Sequence, residues 1–359
     1  MGNIIYFIVM LIAIILARKA EKKNKKKYLK LIVFMVSILS GFRGLNVGID
    51  TKLYNYAFLN NFPYAWQFEE LGFRAISTFV LNIFNDTRAV FLFFALIING
   101  CIIYRLWDFK DKCSFTVMLL IYLLTFYVDS MNIMRQMVAV AIIFLSTRLL
   151  EKKHYSMFLI VIMGTTFIHV SSLLAVALII AYYWIPLKLS NKILIAIPMI
   201  ILEIVFLLVI IQFESGHINN YLSEQNSVSN INIPFLYRFL CFLLSYMIYK
   251  SNIKFVINRK KEPNINIKDD LIVYDEFFRI ISFIYLMGLL ISSLGMFFTV
   301  MARLGYFYIL FEVVYWGYLA KTSRNKELNI VMIMIYVGYI FLVEIFSSGC
   351  EVFPFYLNI

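Results

Sequence analysis

Long apolar runs recur along the whole of this 359-residue chain, and none carries the alternating pattern, roughly ten residues long, of an outer-membrane barrel strand. With 62% hydrophobic residues and a mean hydropathy of +0.83, the chain lies far from a soluble domain, which is about half apolar and about a quarter charged. Backbone polar groups in hydrocarbon must be satisfied within the chain itself, which leaves helices. The sequence therefore predicts an all-α fold, a polytopic transmembrane helical bundle, forming one integral membrane domain over residues 1–359.

Charge then orients the bundle. Residues 4–17 read as a first anchor and not a signal peptide, because the positive charges follow the apolar run and no A-x-A cleavage site appears. Residues 18–27 hold the densest positive charge and are predicted to stay in the cytoplasm. That assignment puts the N-terminus outside and sends 28–42 across, so the polar, glycine-punctuated stretch 43–56 faces away from the cytoplasm. Further basic clusters lie at Arg105, Lys110 and Lys112, at Arg148, Lys152 and Lys153, at Lys188 and Lys192, across 250–261, and at Lys321, Arg324 and Lys326. Lysine-poor segments separate them: 129–135, 214–232, the turn near Arg303, and the tail after Phe346.

Spans at about 88–104, 113–128, 136–149, 193–212, 235–250, 277–298, 304–320 and 328–346 make the two sides alternate without a violation. Both termini then lie outside. Residues 155–185 need an even number of crossings but are too short for two full helices, so two short, broken or re-entrant helices are expected. Residues 71–84 form a further interfacial or re-entrant candidate. The total is about twelve membrane helices, short and re-entrant ones included. The one long cytoplasmic connection, 251–274, is too short to be an enzymatic domain, so any chemistry must come from the bundle.

Several functions are excluded at once. The net charge of +12 sits in short loops beside apolar segments, which is a topological signal and not a nucleic-acid stripe. Cys101, Cys113, Cys241 and Cys350 are scattered, with no C-x-x-C and no histidine at metal spacing, so neither a disulfide framework nor a metal is expected. No Walker A motif or dinucleotide fingerprint occurs, and no cofactor is predicted.

The basic residues outside the cytoplasmic clusters are few: Arg43, Lys52, Arg74, Arg88, Arg135, Arg238 and Arg303. Each has a structural reading, snorkelled or paired with an acid, and a functional one, since a guanidinium fork suits phosphate oxygens. As a set they favour an anionic substrate. Arg135, in the polar segment Asn132-Ile133-Met134-Arg135-Gln136, and Arg303, at the entry to a late apolar run, are the sharpest cases. His169 is the histidine in an apolar context; it reads either as a base for a sugar hydroxyl or as a histidine bonded to a neighbouring helix. Asp50 and Asp129 are acids of the outer face, and Tyr54, Tyr56 and Trp66 are aromatics that either stack on sugars or anchor at the interface. Glu203 and Glu312 fall within apolar runs, where pairing with an arginine of another helix is the favoured explanation.

Residues 43–56 resemble the R-x-x-x-x-G-x-D-x-x-x-Y block of the EpsG family, relatives of the Wzy-type polymerases of exopolysaccharide, capsule and O-antigen. Asn132, Arg135, Gln136 and Ala139 are similar to that family's N-x-x-R-Q-x-x-A block, and Phe167, His169 and Ser171 to its F-x-H-x-S block. Arg303, Leu304 and Tyr306 resemble its R-L-x-Y element. The resemblance implies transfer of a growing glycan from one undecaprenyl diphosphate to the next lipid-linked repeat, outside a bacterial cytoplasmic membrane and without a metal. By the same resemblance, Arg135 and Arg303 hold diphosphate and sugar, His169 is the base, and Arg43 with Asp50 shapes the acceptor side. Asp129, Asn132, Gln136, Tyr54 and Tyr56 are the further binding candidates.

The expected partners are the undecaprenyl-diphosphate-linked oligosaccharide, the lipid bilayer, and chain-length regulator and flippase proteins, with no nucleic acid. The main alternative is a transporter or flippase of lipid-linked glycan, which should show paired broken helices in two matching halves. A non-catalytic scaffold is the third reading; it would leave Arg135 and His169 freely replaceable.

Overall fold

The computed structural model describes residues 2–62, 70–184, 233–259, 268–293, 303–322, 326–346 and 352–357. The span expected at 193–212, the stretch 214–232 with His217, Glu203 and Trp66 lie outside these. Among the described residues the regular structure is helical, with an isolated bridge between Arg43 and Leu357 as its β feature. The helices are α1 (Gly2–Lys23), α2 (Lys27–Gly41), α3 (Thr51–Leu59), α4 (Leu71–Phe84), α5 (Thr87–Asp108), α6 (Phe115–Leu124), α7 (Phe126–Asp129), α8 (Met134–Glu151), α9 (Tyr155–Thr166) and α10 (Val176–Trp184). After them come α11 (Ile233–Arg259), α12 (Lys268–Ser293), α13 (Tyr306–Ile309), α14 (Glu312–Thr322) and α15 (Lys326–Phe346).

Turn chemistry explains the hairpins. Asn24 adopts a positive φ of 48° after α1, a conformation asparagine tolerates, and Lys25 N–H donates back to the Ala20 carbonyl at 3.2 Å. Asn85 ends α4 in the same way, and the Asp86 carboxylate then accepts from Arg88 N–H at 2.8 Å to start α5. The long α5 packs against both α2 and α8. A buried polar knot locks that core: Asn99 on α5 donates to Ser37 Oγ of α2 at 3.1 Å and accepts from Tyr122 of α6 at 2.7 Å. In lipid such bonds hold helices together where apolar burial cannot.

Three described helices are long and apolar enough to cross a membrane: Gly2–Lys23, Thr87–Asp111 including a short 3₁₀ extension, and Glu276–Ser293. Five shorter apolar helices accompany them. The all-helical membrane bundle is thus present, with three candidate spans and five shorter apolar helices among the described residues; the expected span at 193–212 lies outside them. The hairpin expected at 155–185 appears as α9, a 3₁₀ helix at Val170–Ala175, and α10, all short. The single span expected at 113–128 breaks at Thr125, whose hydroxyl turns back to the Ile121 carbonyl at 2.6 Å. Likewise 304–320 is divided between α13 and α14. The connection expected over 251–274 is helical at both ends, through Arg259 and from Lys268.

Among the described residues, the basic clusters at 18–27, 105–112 and 148–153 gather at one end with Lys321. Glu21 accepts from Phe115 N–H at 3.0 Å and from the Thr116 hydroxyl at 2.6 Å, capping α6 from another helix. Arg105 pairs with Glu151, Arg148 with Asp108, and Lys321 donates to the Lys110 carbonyl at 2.6 Å. The glycine loop 43–50 lies beyond the other end of α2, about 22 Å away at 1.5 Å per residue for its 15 residues. Gly44 N–H donates to the Tyr356 carbonyl at 2.7 Å, and Phe355 N–H to Asn3 Oδ1, so the segment 355–357 joins the loop to the start of α1. Glu312 pairs, as expected, with an arginine of another helix, Arg238, at 3.9 Å, and accepts from Tyr336 at 2.7 Å.

Candidate functional site

The glycine loop is built around Arg43, whose side chain points inward. Its guanidinium donates to Thr51 Oγ1 at 3.0 Å, to the Ser40 carbonyl at 2.7 Å and to the Met131 carbonyl at 3.1 Å, and it stacks on Phe91. Burial pulls its pKa down to about 10, which still leaves it charged at neutral pH. Thr51 Oγ1 donates to the Val47 carbonyl at 2.6 Å, and Asn132 Oδ1 accepts from Ile49 N–H at 2.8 Å. Arg43 and Asn132 therefore shape the loop from within and clamp it to the segment before α8. The product of that clamp is the placement of Asp50 at the start of α3.

A second junction fixes the late arginine. Gln136, in the first turn of α8, donates through Nε2 to the Arg303 carbonyl at 2.6 Å. The Arg303 side chain stays exposed. Three residues on, the Tyr306 hydroxyl donates to Asp129 Oδ2 at 2.9 Å. Gln136 and Asp129 thus hold 303–306 against the start of α8, so the Arg303 backbone is anchored while its charge stays available.

The third junction is direct contact between charged side chains. Glu70, immediately before α4, turns one carboxylate oxygen to His169 Nδ1 at 2.8 Å and the other to Arg135 Nη1. Sequence reasoning missed Glu70. It lies beside Glu69 in a segment with no motif, and its part in the site comes from the approach of α4 to the 167–169 turn. That approach is close: Gly72 N–H donates to the Phe167 carbonyl at 2.8 Å, and a Cβ on Gly72 would lie 2.7 Å from the same oxygen. A Gly72→Ala protein is expected to push Glu70 off His169 and to lose activity about tenfold or more, since a shift near 1 Å in a reacting site costs up to about a hundredfold. The check is the activity of the variant against the parent at matched protein level.

Electrostatics link the junctions. Burial raises the Asp50 carboxyl above its ordinary range, and the charges of Arg303 and then Arg135 oppose that rise. Asp50 is therefore within the field of both arginines. Tyr54 is buried, its pKa pushed up to about 12 by that burial, and its hydroxyl accepts from Arg135 N–H at 3.5 Å. Tyr56, one helical face away, is half exposed. Asn132 Nδ2 and Ser171 Oγ are buried without a hydrogen-bond partner among the described residues. Unpaired buried donors are costly, and each calls for an acceptor.

Arg135, His169, Arg303 and Asp50 are thus brought to one region, together with Tyr54, Asp129 and Gln136 as its supports. Arg43 and Asn132 Oδ1 serve the loop behind it, and Tyr56 faces outward. Among the described residues no three of His, Cys, Asp and Glu gather as a metal site. The EpsG family matches residues 26–356, nearly the whole chain. No curated protein and no solved structure matches it. The chain belongs to the EpsG family, and with that membership come a bacterial membrane setting and an exopolysaccharide-associated, polymerase-like function.

Proposed function

From that membership and the charges of the site, we propose that the chain is a glycan polymerase of the bacterial cytoplasmic membrane. It joins polyprenyl-diphosphate-linked oligosaccharide repeats on the extracytoplasmic face, where the glycine loop and both termini lie. The observation that carries this reading is the gathering of segments 43–54, 70–72, 129–136, 167–171 and 303–306 around two arginines and a histidine. Lipid diphosphate needs positive charge as it departs, and that is what the site offers.

In the reaction, an acceptor hydroxyl oxygen bonds to the anomeric carbon of the donor sugar. The carbon–oxygen bond to phosphate breaks, and its electron pair leaves on the polyprenyl diphosphate. Arg135 and Arg303 stabilise that anion, while the hydroxyl proton passes to His169. Asp50 orients the acceptor, and Asn132 Nδ2 and Ser171 Oγ bond its oxygens. The work of the remaining fold is to hold these groups in register.

The test is reconstitution in liposomes with lipid-linked repeat units, with products resolved by size. A ladder of multiples supports the polymerase. Single repeats that cross the bilayer without joining would make the protein a flippase and overturn the assignment.

A further inference from the structure

Glu70 neutralises the very arginine that a diphosphate needs, and this gives it a role of its own. Its two oxygens serve two different partners, His169 and Arg135, and the three side chains are only 10%, 15% and 18% exposed. Little water is present to screen the pairing. We propose that Glu70 is an exchangeable counter-ion: it holds Arg135 in the empty site, yields it to the donor's diphosphate, and keeps His169 in one tautomer throughout. The proposal rests on the polymerase reading and deepens it.

The direction of exchange follows from what anchors each partner. Glu70 is tied to the turn that carries His169, because its carbonyl accepts from Arg74 N–H at 3.2 Å and Gly72 N–H bonds Phe167 at 2.8 Å. Arg135 stands on a different element, at the end of a long flexible side chain on α8. When a diphosphate arrives with more charge and more oxygens than one carboxylate, the guanidinium moves and Glu70 stays. An ionised carboxylate only accepts hydrogen bonds, so the neutral imidazole carries its proton on Nδ1, which leaves the Nε2 lone pair as the base. Once the acceptor proton has arrived, a Glu70 relieved of Arg135 stabilises the imidazolium more strongly than before. Glu70 is thus a positioning residue that couples donor binding to proton transfer.

The experiment compares wild type, Glu70→Gln and Arg135→Ala in nanodiscs, with farnesyl diphosphate as a sugar-free probe. Glu70→Gln is expected to bind the probe about tenfold more tightly, because the competing carboxylate is gone. Its kcat on lipid-linked repeats should fall while its KM for the donor falls too, a split that a merely structural role would not give. By ¹⁵N NMR, wild-type His169 should carry its proton on Nδ1, and Glu70→Gln should show a mixture of tautomers; with three histidines in the chain the signals are assignable by substitution.

A measurement on the wild type alone repeats the test, independent of how the variant folds. Added probe should move the Arg135 guanidinium signals and leave the His169 Nδ1–H in place. Arg135-dependent binding with equal or weaker affinity in Glu70→Gln, or loss of the Nδ1–H on probe binding, would overturn this inference alone. Absence of any Arg135-dependent binding would overturn the diphosphate site and the polymerase reading with it.

Discussion

Membranes carrying Arg135→Ala are expected to contain as much protein as the wild type and to make at least about a hundredfold less polymer, the scale of losing one preorganised group that stabilises developing negative charge. The fold should survive because α8 is held by its apolar face, with Met137, Val138, Ala141, Ile143 and Phe144 all buried, while the Arg135 side chain is partly exposed. Glu70 would keep His169 as a partner, so the loss of stability should stay near that of a buried acceptor left without its donor, about 1–3 kcal/mol. Arg135→Lys should restore less than about a tenth of activity, since an ammonium is a point charge and lacks the planar fork that spans two phosphate oxygens. Immunoblotting for the protein and gel separation of the glycan measure both quantities. Normal polymer at equal protein would remove Arg135 from the mechanism.

Gly48→Ala is expected to have the largest effect on the fold near the site. Gly48 has φ of +84°, and an added Cβ would lie 2.6 Å from Asn132 Oδ1 and 3.0 Å from the Met131 carbonyl. The backbone strain alone costs about 1–3 kcal/mol. The clash adds to it, because Asn132 Oδ1 cannot retreat without losing the Ile49 N–H, and the Met131 carbonyl is already bonded by Arg43. A fall in thermal midpoint of about 5 °C or more is expected in detergent. Polymer yield should fall with it, since Asp50 is placed by the same loop. A variant with wild-type melting and full activity would show that the loop tolerates a side chain there, contrary to its geometry.

The parts of the site that sequence disclosed are those whose residue type alone is improbable in lipid. Arg135, His169 and Arg303 announce themselves because a charged or titratable group beside an apolar run needs a reason. Loop charge likewise grouped 18–27, 105–112, 148–153 and Lys321, which meet at one end. Direction was not legible: Arg43 reads as a donor to substrate, yet Ser40, Thr51 and Met131 take its hydrogen bonds from within. Nor was Glu70, whose importance arises from a backbone contact between Gly72 and Phe167 across ninety-odd positions of chain, a tertiary fact with no local signature. The breaks at Thr125 and before Glu312 were also hidden, because hydropathy records that a stretch prefers lipid and not whether it crosses as one helix.

The pairing of Gly44 with Tyr356 and of Arg43 with Leu357 has a consequence in time. A ribosome makes residues 43 and 44 about three hundred residues before 356 and 357. Throughout the interval the loop that places Asp50 lacks its closing partner, although α2 and α5 can already pack. A chain caught midway through synthesis would thus have a membrane anchor but a loop still open at Gly44.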